Sequence, residues 1–268
     1  MEELTAYSQM PFMTQLKKRL HYESRTILSQ YSLPYLPMKR WEYSRYKAKT
    51  GIDPELEGIW WGVIHDATDI VIEGFPRSGN TFSSVAFRYA QKAPVRIAYR
   101  LHAPIQLIEA ARHHIPAVVL CREPEGAILS WVIHRSYVTI PQALRGYLRF
   151  YQRTLPYLDH LVVADFHTVI NDYGRVIREV NEKFGTQFTE FQHTQANVDA
   201  CFALIDEFYQ SADGSERIVA RPSEHRKQLK EQLRAEFLAD ELAELREQAY
   251  DLYGAFVKSK APEAVPSS

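Results

Sequence analysis

The stretch Ile70-Val71-Ile72-Glu73-Gly74-Phe75-Pro76-Arg77-Ser78-Gly79-Asn80-Thr81-Phe82 carries residue types that can hold an anion. Its β-branched start reads as a buried strand. A loop with Gly74, Pro76 and Gly79 follows, and residues 82–91 read as a helix. Such a turn directs backbone N–H groups and a helix N-terminus at one spot. Gly74 and Gly79 have the spacing of the loop that cradles nucleotide triphosphates, with Thr81 in the Ser/Thr place. The lysine that neutralises the β- and γ-phosphates in that loop is replaced by Asn80. The loop's only cation is Arg77. This suits a nucleotide with a short phosphate-like chain better than a triphosphate. The plain alternative is a Gly/Pro turn joining strand to helix.

Two later segments add to it. Arg100-Leu101-His102-Ala103-Pro104 follows a short run at 95–99 that reads as a strand. Arg122-Glu123-Pro124 follows the apolar run at 116–121, and Ser130 stands two helical turns on. An arginine at a strand end and a serine on the next helix can share one phosphate. A histidine at a strand end beside an anion loop can serve as a general base. His102 is one of 10 histidines, so this placement singles it out, and composition does not.

The elements that must position these residues alternate. Strand-like runs at 69–75, 95–99, 116–121 and 160–165 are separated by helical patterns at 82–91, 105–114, 125–134 and 141–157. Helical patterns continue at 171–184, closed by Gly185, at 198–209, and across 222–257 with Leu229, Leu233, Phe237, Leu242 and Leu245 inward. The pattern predicts an α/β fold, three layers α/β/α, with a central parallel sheet covered on both faces. Ligands of such sheets bind outside the carboxyl ends of the strands. Residues 1–31 read as a helix packed through Phe12, Leu16, Leu20 and Ile27, with a basic Lys17-Lys18-Arg19 face. Residues 32–46 are too rich in proline to be regular helix throughout and read as an ordered surface segment. Tyr35, Trp41, Trp60 and Tyr137 hint at an aromatic pocket. One domain is expected over 1–258, with a disordered tail at 259–268.

Composition sets bounds. The chain has 268 residues, 46% of them hydrophobic and 24% charged, as in an ordinary globular protein. A formal net charge of −1 gives no drive toward nucleic acid, so any anion site must be a local concentration of cations. Cys121 and Cys201 make no disulfide framework, and Cys121 reads as buried. No membrane span and no signal peptide are legible, and a cytoplasmic location is expected. The adjacent His113 and His114 cannot face one ion from one side of a helix, and no metal is expected.

Taken together, these segments resemble a family. Phe75-Pro76-Arg77-Ser78-Gly79-Asn80-Thr81-Phe82 is similar to the 5′-phosphosulfate loop of sulfotransferases that use 3′-phosphoadenosine 5′-phosphosulfate (PAPS). Cys121-Arg122-Glu123-Pro124 through Ser130 resembles that family's 3′-phosphate motif, and Arg100–Pro104 its catalytic-histidine segment. The resemblance covers about residues 69–165. It implies that Ser78, Gly79, Asn80 and Thr81 hold the phosphosulfate and that Phe82 flanks the adenine. It gives Arg77, where many members have lysine, to the leaving-group charge. It gives Arg122 and Ser130 to the 3′-phosphate and His102 to the acceptor's proton. The family's late basic loop has no full counterpart here. Arg221 is its nearest match, with Arg226 and Lys227 weaker. Asp165, at a strand end, is a candidate for polar support. The implied reaction moves a sulfuryl group from PAPS to a hydroxyl or amine of a small-molecule, carbohydrate or lipid acceptor. A P-loop nucleotide kinase and a catalytically silent nucleotide-binding protein remain the alternatives.

Overall fold

A computed structural model describes residues 11–56, 61–213 and 224–259. Four strands form one all-parallel sheet: β1 (Ile70–Gly74), β2 (Ile97–Tyr99), β3 (Ala117–Cys121) and β4 (Val162–Asp165). Their spatial order is β2-β1-β3-β4. Two helices precede β1, α1 (Phe12–Leu28) and α2 (Ser32–Thr50), and α3 (Asn80–Ala90) follows it. α4 (Pro104–Arg112) links β2 to β3, while α5 (Pro124–His134) and α6 (Ile140–Thr154) lie between β3 and β4. After β4 come α7 (Phe166–Asn171), α8 (Tyr173–Phe184), α9 (Gln195–Asp213), α10 (Glu224–Phe237) and α11 (Ala243–Lys258).

The strands alternate sides with period two, and both sides are buried. Ile70, Ile72, Val118, Leu120, Val162 and Ala164 pack against α3, α8 and α9 through Phe87, Val176 and Ile205. Val71, Val119, Cys121 and Val163 face the other way, onto α4, α5, α6 and α11 through Ile108, Ile128, Leu144 and Phe256. This is the three-layer arrangement that the alternating pattern predicts. β1 sits centrally, paired with β2 on one side and β3 on the other. The crossover from β1 to β2 runs through α3 on one face, and that from β2 to β3 through α4 on the opposite face. The strand order therefore reverses beside β1, which opens a crevice at the carboxyl ends. The β2 edge is closed by Gly62, which pairs antiparallel with Tyr99.

Several expectations change in detail. α1 is a helix, but Phe12 (73%), Leu20 (61%) and Ile27 (45%) are exposed. Its other side is anchored, by buried Tyr22, by Arg25 Nη2 donating to Leu101 O at 2.8 Å and by the Glu23–Arg149 ion pair at 2.6 Å. Those contacts fix the helix's rotation, so its apolar stripe turns outward. Residues 34–50 are helical after all. The break is confined to Leu33, whose extended backbone suits a residue before proline. Pro37 then falls in the first turn and forfeits at most the first intrahelical bond. The single helix expected at 171–184 begins at Tyr173, capped by Asp172, and a short helix precedes it. The helical region at 222–257 splits at a 3₁₀ turn, Asp240–Leu242. Gly185 is the left-handed C-cap expected of it, and Cys121 and Cys201 are both buried free thiols. Arg221 and the tail from residue 260 onward lie outside the described residues. No helix among the described residues is long and apolar enough to cross a membrane.

Gly74 marks the tightest point between the two central strands. A Cβ there would lie 2.5 Å from Leu120 O and 2.7 Å from Leu120 Cβ. Both obstacles belong to a paired, buried strand and cannot swing aside. Gly74→Ala is expected to lower stability by about 1–3 kcal/mol, the usual cost of overpacking. Urea denaturation measures it, and an unchanged midpoint would contradict the packing described.

Candidate functional site

The loop after β1 is built from inside outward. Asn80 Nδ2 donates to Phe75 O at 3.0 Å, and Ser78 N–H donates to the same oxygen at 3.3 Å. Ser78 is fully buried, with its hydroxyl 3.4 Å from that of Tyr151, which donates to Leu120 O at 2.9 Å. The side chains of Ser78 and Asn80 thus shape the loop and do not line its surface. Whatever they offer a ligand comes from their backbone. Gly79 has φ +92°, and an added Cβ would also meet Val169. α3 starts immediately after it, so the N–H groups of the first turn have no intrahelical acceptors. With the helix's positive end they form a terminus of the kind that can receive an anion. Thr81 is half-buried at that terminus. Phe82 points into the core, where its ring lies about 6 Å from those of Tyr173, Phe191 and Phe202.

Arg77 joins this loop to the one after β3. Its Nε donates to Ser130 Oγ at 3.0 Å, and its carbonyl accepts from Arg122 Nη1 at 3.1 Å. The expected phosphate-binding pair, Arg122 and Ser130, is therefore brought onto the loop's only cation. The Arg122 guanidinium lies 3.9 Å above the Phe166 ring and 3.6 Å from Glu123. Burial presses its pKa below the ordinary arginine value, with Glu123 opposing, and it stays charged at neutral pH. The atom that faces Glu123 is its buried Nε, at a distance too long for a good hydrogen bond. Gly126 makes this arrangement possible, since a Cβ there would overlap Glu123 and lie 2.9 Å from Arg122 Nε.

The loop after β2 brings His102. Its Nδ1 lies 2.9 Å from Gly74 O. A carbonyl only accepts, so Nδ1 carries the proton and Nε2 keeps the lone pair. Glu73, fully buried at the end of β1, holds this loop. Its carboxylate accepts from Leu101 N at 2.7 Å, His102 N at 3.0 Å, Gln106 Nε2 at 2.8 Å and Gly74 N at 3.3 Å. Arg77, Arg100 and His102 have positive φ of 70°, 59° and 51°. Each such non-glycine backbone costs about 1–3 kcal/mol and persists only where surrounding bonds fix it. Beside His102 is a cleft with a volume of about 30 Å³, lined by Tyr22, Arg25, Phe75, Trp131 and Phe150 among others.

The sequence-derived residues fall into two groups. Arg77, Gly79, Thr81, His102 and Arg122 lie on the loops and helix starts at the carboxyl ends of β1, β2 and β3, and Ser130 on the second turn of α5. Ser78, Asn80 and Phe82 turn their side chains inward. Asp165 serves as the N-cap of α7, accepting from Thr168 N at 3.0 Å. The suggested aromatic set does not assemble. Tyr35 is buried in the core, Trp41 is exposed, and Trp60 lies outside the described residues. Tyr22, Phe75, Trp131 and Phe150 line the cleft in their place. Glu73, Arg25 and Gly126 were missed. Glu73 did carry a signal, as the one charge in an apolar strand. Arg25 carried none, because helix packing delivers it.

Electrostatics oppose one another here. Burial pulls the His102 pKa from 6.5 to about 3, and the charges of Arg25, Arg100 and Arg77 add to the pull while the Gly74 bond resists it. Burial pushes the Glu73 pKa from 4.5 up to about 7, against its N–H donors. For His102, the unfolded chain binds the proton more tightly, so stability is lost as pH falls from 6.5 toward about 3. For Glu73, the folded chain binds it more tightly, so stability is lost as pH rises from 4.5 through about 7. His102→Asn removes the first contribution only. Its stability relative to wild type is expected to improve as pH is lowered from 6.5 toward about 3, read by denaturant titrations across pH. Parallel curves for the two proteins would show that His102 does not titrate this way. Compared with protein-family models, with curated proteins and with solved structures, the chain finds no match, so its function is read from its own residues.

Proposed function

We propose that this protein is a sulfotransferase that moves a sulfuryl group from PAPS to an acceptor hydroxyl or amine. One observation carries the reading. The residues expected of a 3′-phosphate pair and a catalytic histidine, brought by two other strand ends, bond to the end of β1 and the loop after it, through the contacts Ser130–Arg77, Arg122–Arg77 and His102–Gly74.

The donor, when bound, supplies an activated sulfuryl group. Arg122 and Ser130 would hold its 3′-phosphate, and the Arg122 Nε–H, whose one charged neighbour is Glu123 at a long 3.6 Å, supports that fit. Arg77 and the N–H groups at the start of α3 would hold the phosphosulfate end. Arginine does not give up its proton at neutral pH, so Arg77 acts by charge on the leaving phosphate. The Nε2 lone pair of His102 takes the acceptor's proton as its oxygen or nitrogen bonds to sulfur. An imidazole pressed to about 3 is a weak base. Burial is the main cause, and anions bound at Arg77 would offset only the smaller part that the cations add. The Asn80 amide is turned inward to Phe75 O, so no cation stands where a P-loop kinase keeps its lysine.

Isothermal calorimetry with adenosine 3′,5′-bisphosphate tests the reading directly. Binding is expected, and none at high micromolar ligand would sink it. ATP turnover without PAPS turnover would point to a kinase, and bisphosphate binding with no transfer to any acceptor to a silent binder. Arg122→Ala is expected to cost about 1.5–3 kcal/mol of bisphosphate affinity, the scale of a hydrogen bond to a charged group. His102→Ala is expected to leave that affinity intact and to cut turnover ~10²–10⁴-fold. Full activity in that variant would place the base elsewhere.

A further inference from the structure

The carboxylate of Glu73 touches neither Arg77, Arg122 nor the imidazole of His102 in any hydrogen bond, yet it accepts from the backbone N–H groups of Gly74, Leu101 and His102. Two successive N–H groups, of Leu101 and His102, point at its two oxygens. Successive N–H groups beside left-handed residues form a concavity for an anion, and Arg100 and His102 supply that backbone here. The anion that fills this concavity is part of the chain. Glu73 also accepts from the N–H of Gly74, and the carbonyl of Gly74 is the acceptor that fixes the proton on Nδ1 of His102. One side chain thus governs both the main chain that carries the imidazole and the acceptor that sets its tautomer. Gln106 completes the arrangement. Its Nε2 donates to Glu73 and to Gly62 O, while its Oε1 accepts from Ile64 N.

We propose that Glu73 is a positioning residue for proton transfer, holding the Arg100–His102 backbone and the Gly74 carbonyl so that Nε2 of His102 faces the acceptor with its lone pair free. The proposal rests on reading His102 as the base. It makes Glu73 act through His102, without contact to donor or acceptor.

Glu73→Gln keeps the shape and removes the charge. One of its two terminal atoms then becomes an N–H donor facing other N–H donors, and the loop loses part of its anchor. The folded variant is expected to bind adenosine 3′,5′-bisphosphate as wild type does. Its kcat should fall about 10²-fold with KM values changed by no more than about twofold, the pattern of a misplaced catalytic group. ¹⁵N NMR of the histidine rings should show wild-type His102 as the Nδ1–H tautomer and the variant as a mixture. Glu73→Asp keeps the charge and withdraws it by one methylene. It carries the same test if the glutamine variant does not fold, with a smaller drop in kcat. A folded variant with wild-type kcat and an unchanged tautomer would overturn the proposal and leave Glu73 a purely structural group. The tautomer reading needs neither donor nor acceptor. Absence of bisphosphate binding in wild type would overturn the PAPS reading alone, while the ring spectra would still decide what Glu73 does to His102.

Discussion

A carboxylate taken out of water must be repaid by donors, or it gives up its charge. Glu73 is the residue on which that rule bears hardest. It ends the central strand, fully buried, and four N–H groups from three segments converge on it. Those donors explain why a loop with two left-handed non-glycine residues stands beside the sheet in one conformation. The same bonds tie the end of β1 to the loop after β2. Together with the Arg25 bond to Leu101 O and the imidazole's bond to Gly74 O, they offset the backbone strain and hold the imidazole.

The sheet order supplies the rest of the convergence. Because β1 lies between β2 and β3, its terminal loop is adjacent to the loops after both neighbours. The crossovers leave on opposite faces, which opens the crevice between those ends, and α1 lines it through Tyr22 and Arg25. Gly74 allows β1 and β3 to pair closely at the point where both turn into their loops. Arg77 then reaches Ser130, and Arg122 reaches the Arg77 carbonyl. The site is a consequence of strand order more than of any single motif.

Charge is concentrated locally. The formal net charge is −1, but Arg25, Arg77 and Arg100 all act on His102, and Arg122 is bonded to the same loop. A bound polyanion meets arginines held by the fold, some of whose desolvation has been met in folding. That preorganisation favours an anionic ligand, and it disfavours a protonated histidine until an anion arrives.

The alternation of strand and helix, the glycine cap at 185 and the chemical character of three strand ends were legible in the sequence, because period, turn preference and side-chain charge are local properties. Other features were not. No local rule gives Arg77, Arg100 and His102 a positive φ, since bonds from elsewhere hold them there. The rotation of α1, with Phe12 and Leu20 outward, follows from contacts with Leu101 and Arg149. Arg77 and Ser130 are 53 positions apart, and His102 and Gly74 are 28 apart. Such pairs meet only after whole faces of the sheet have chosen their helices, a choice set by the total apolar area buried on each side. The sequence by itself determined which groups could do chemistry at each strand end. The tertiary structure decided that Ser78, Asn80 and Phe82 turn inward, that Arg25 joins the cleft, and that a buried glutamate, one charge in an apolar strand, anchors the loop that carries the histidine.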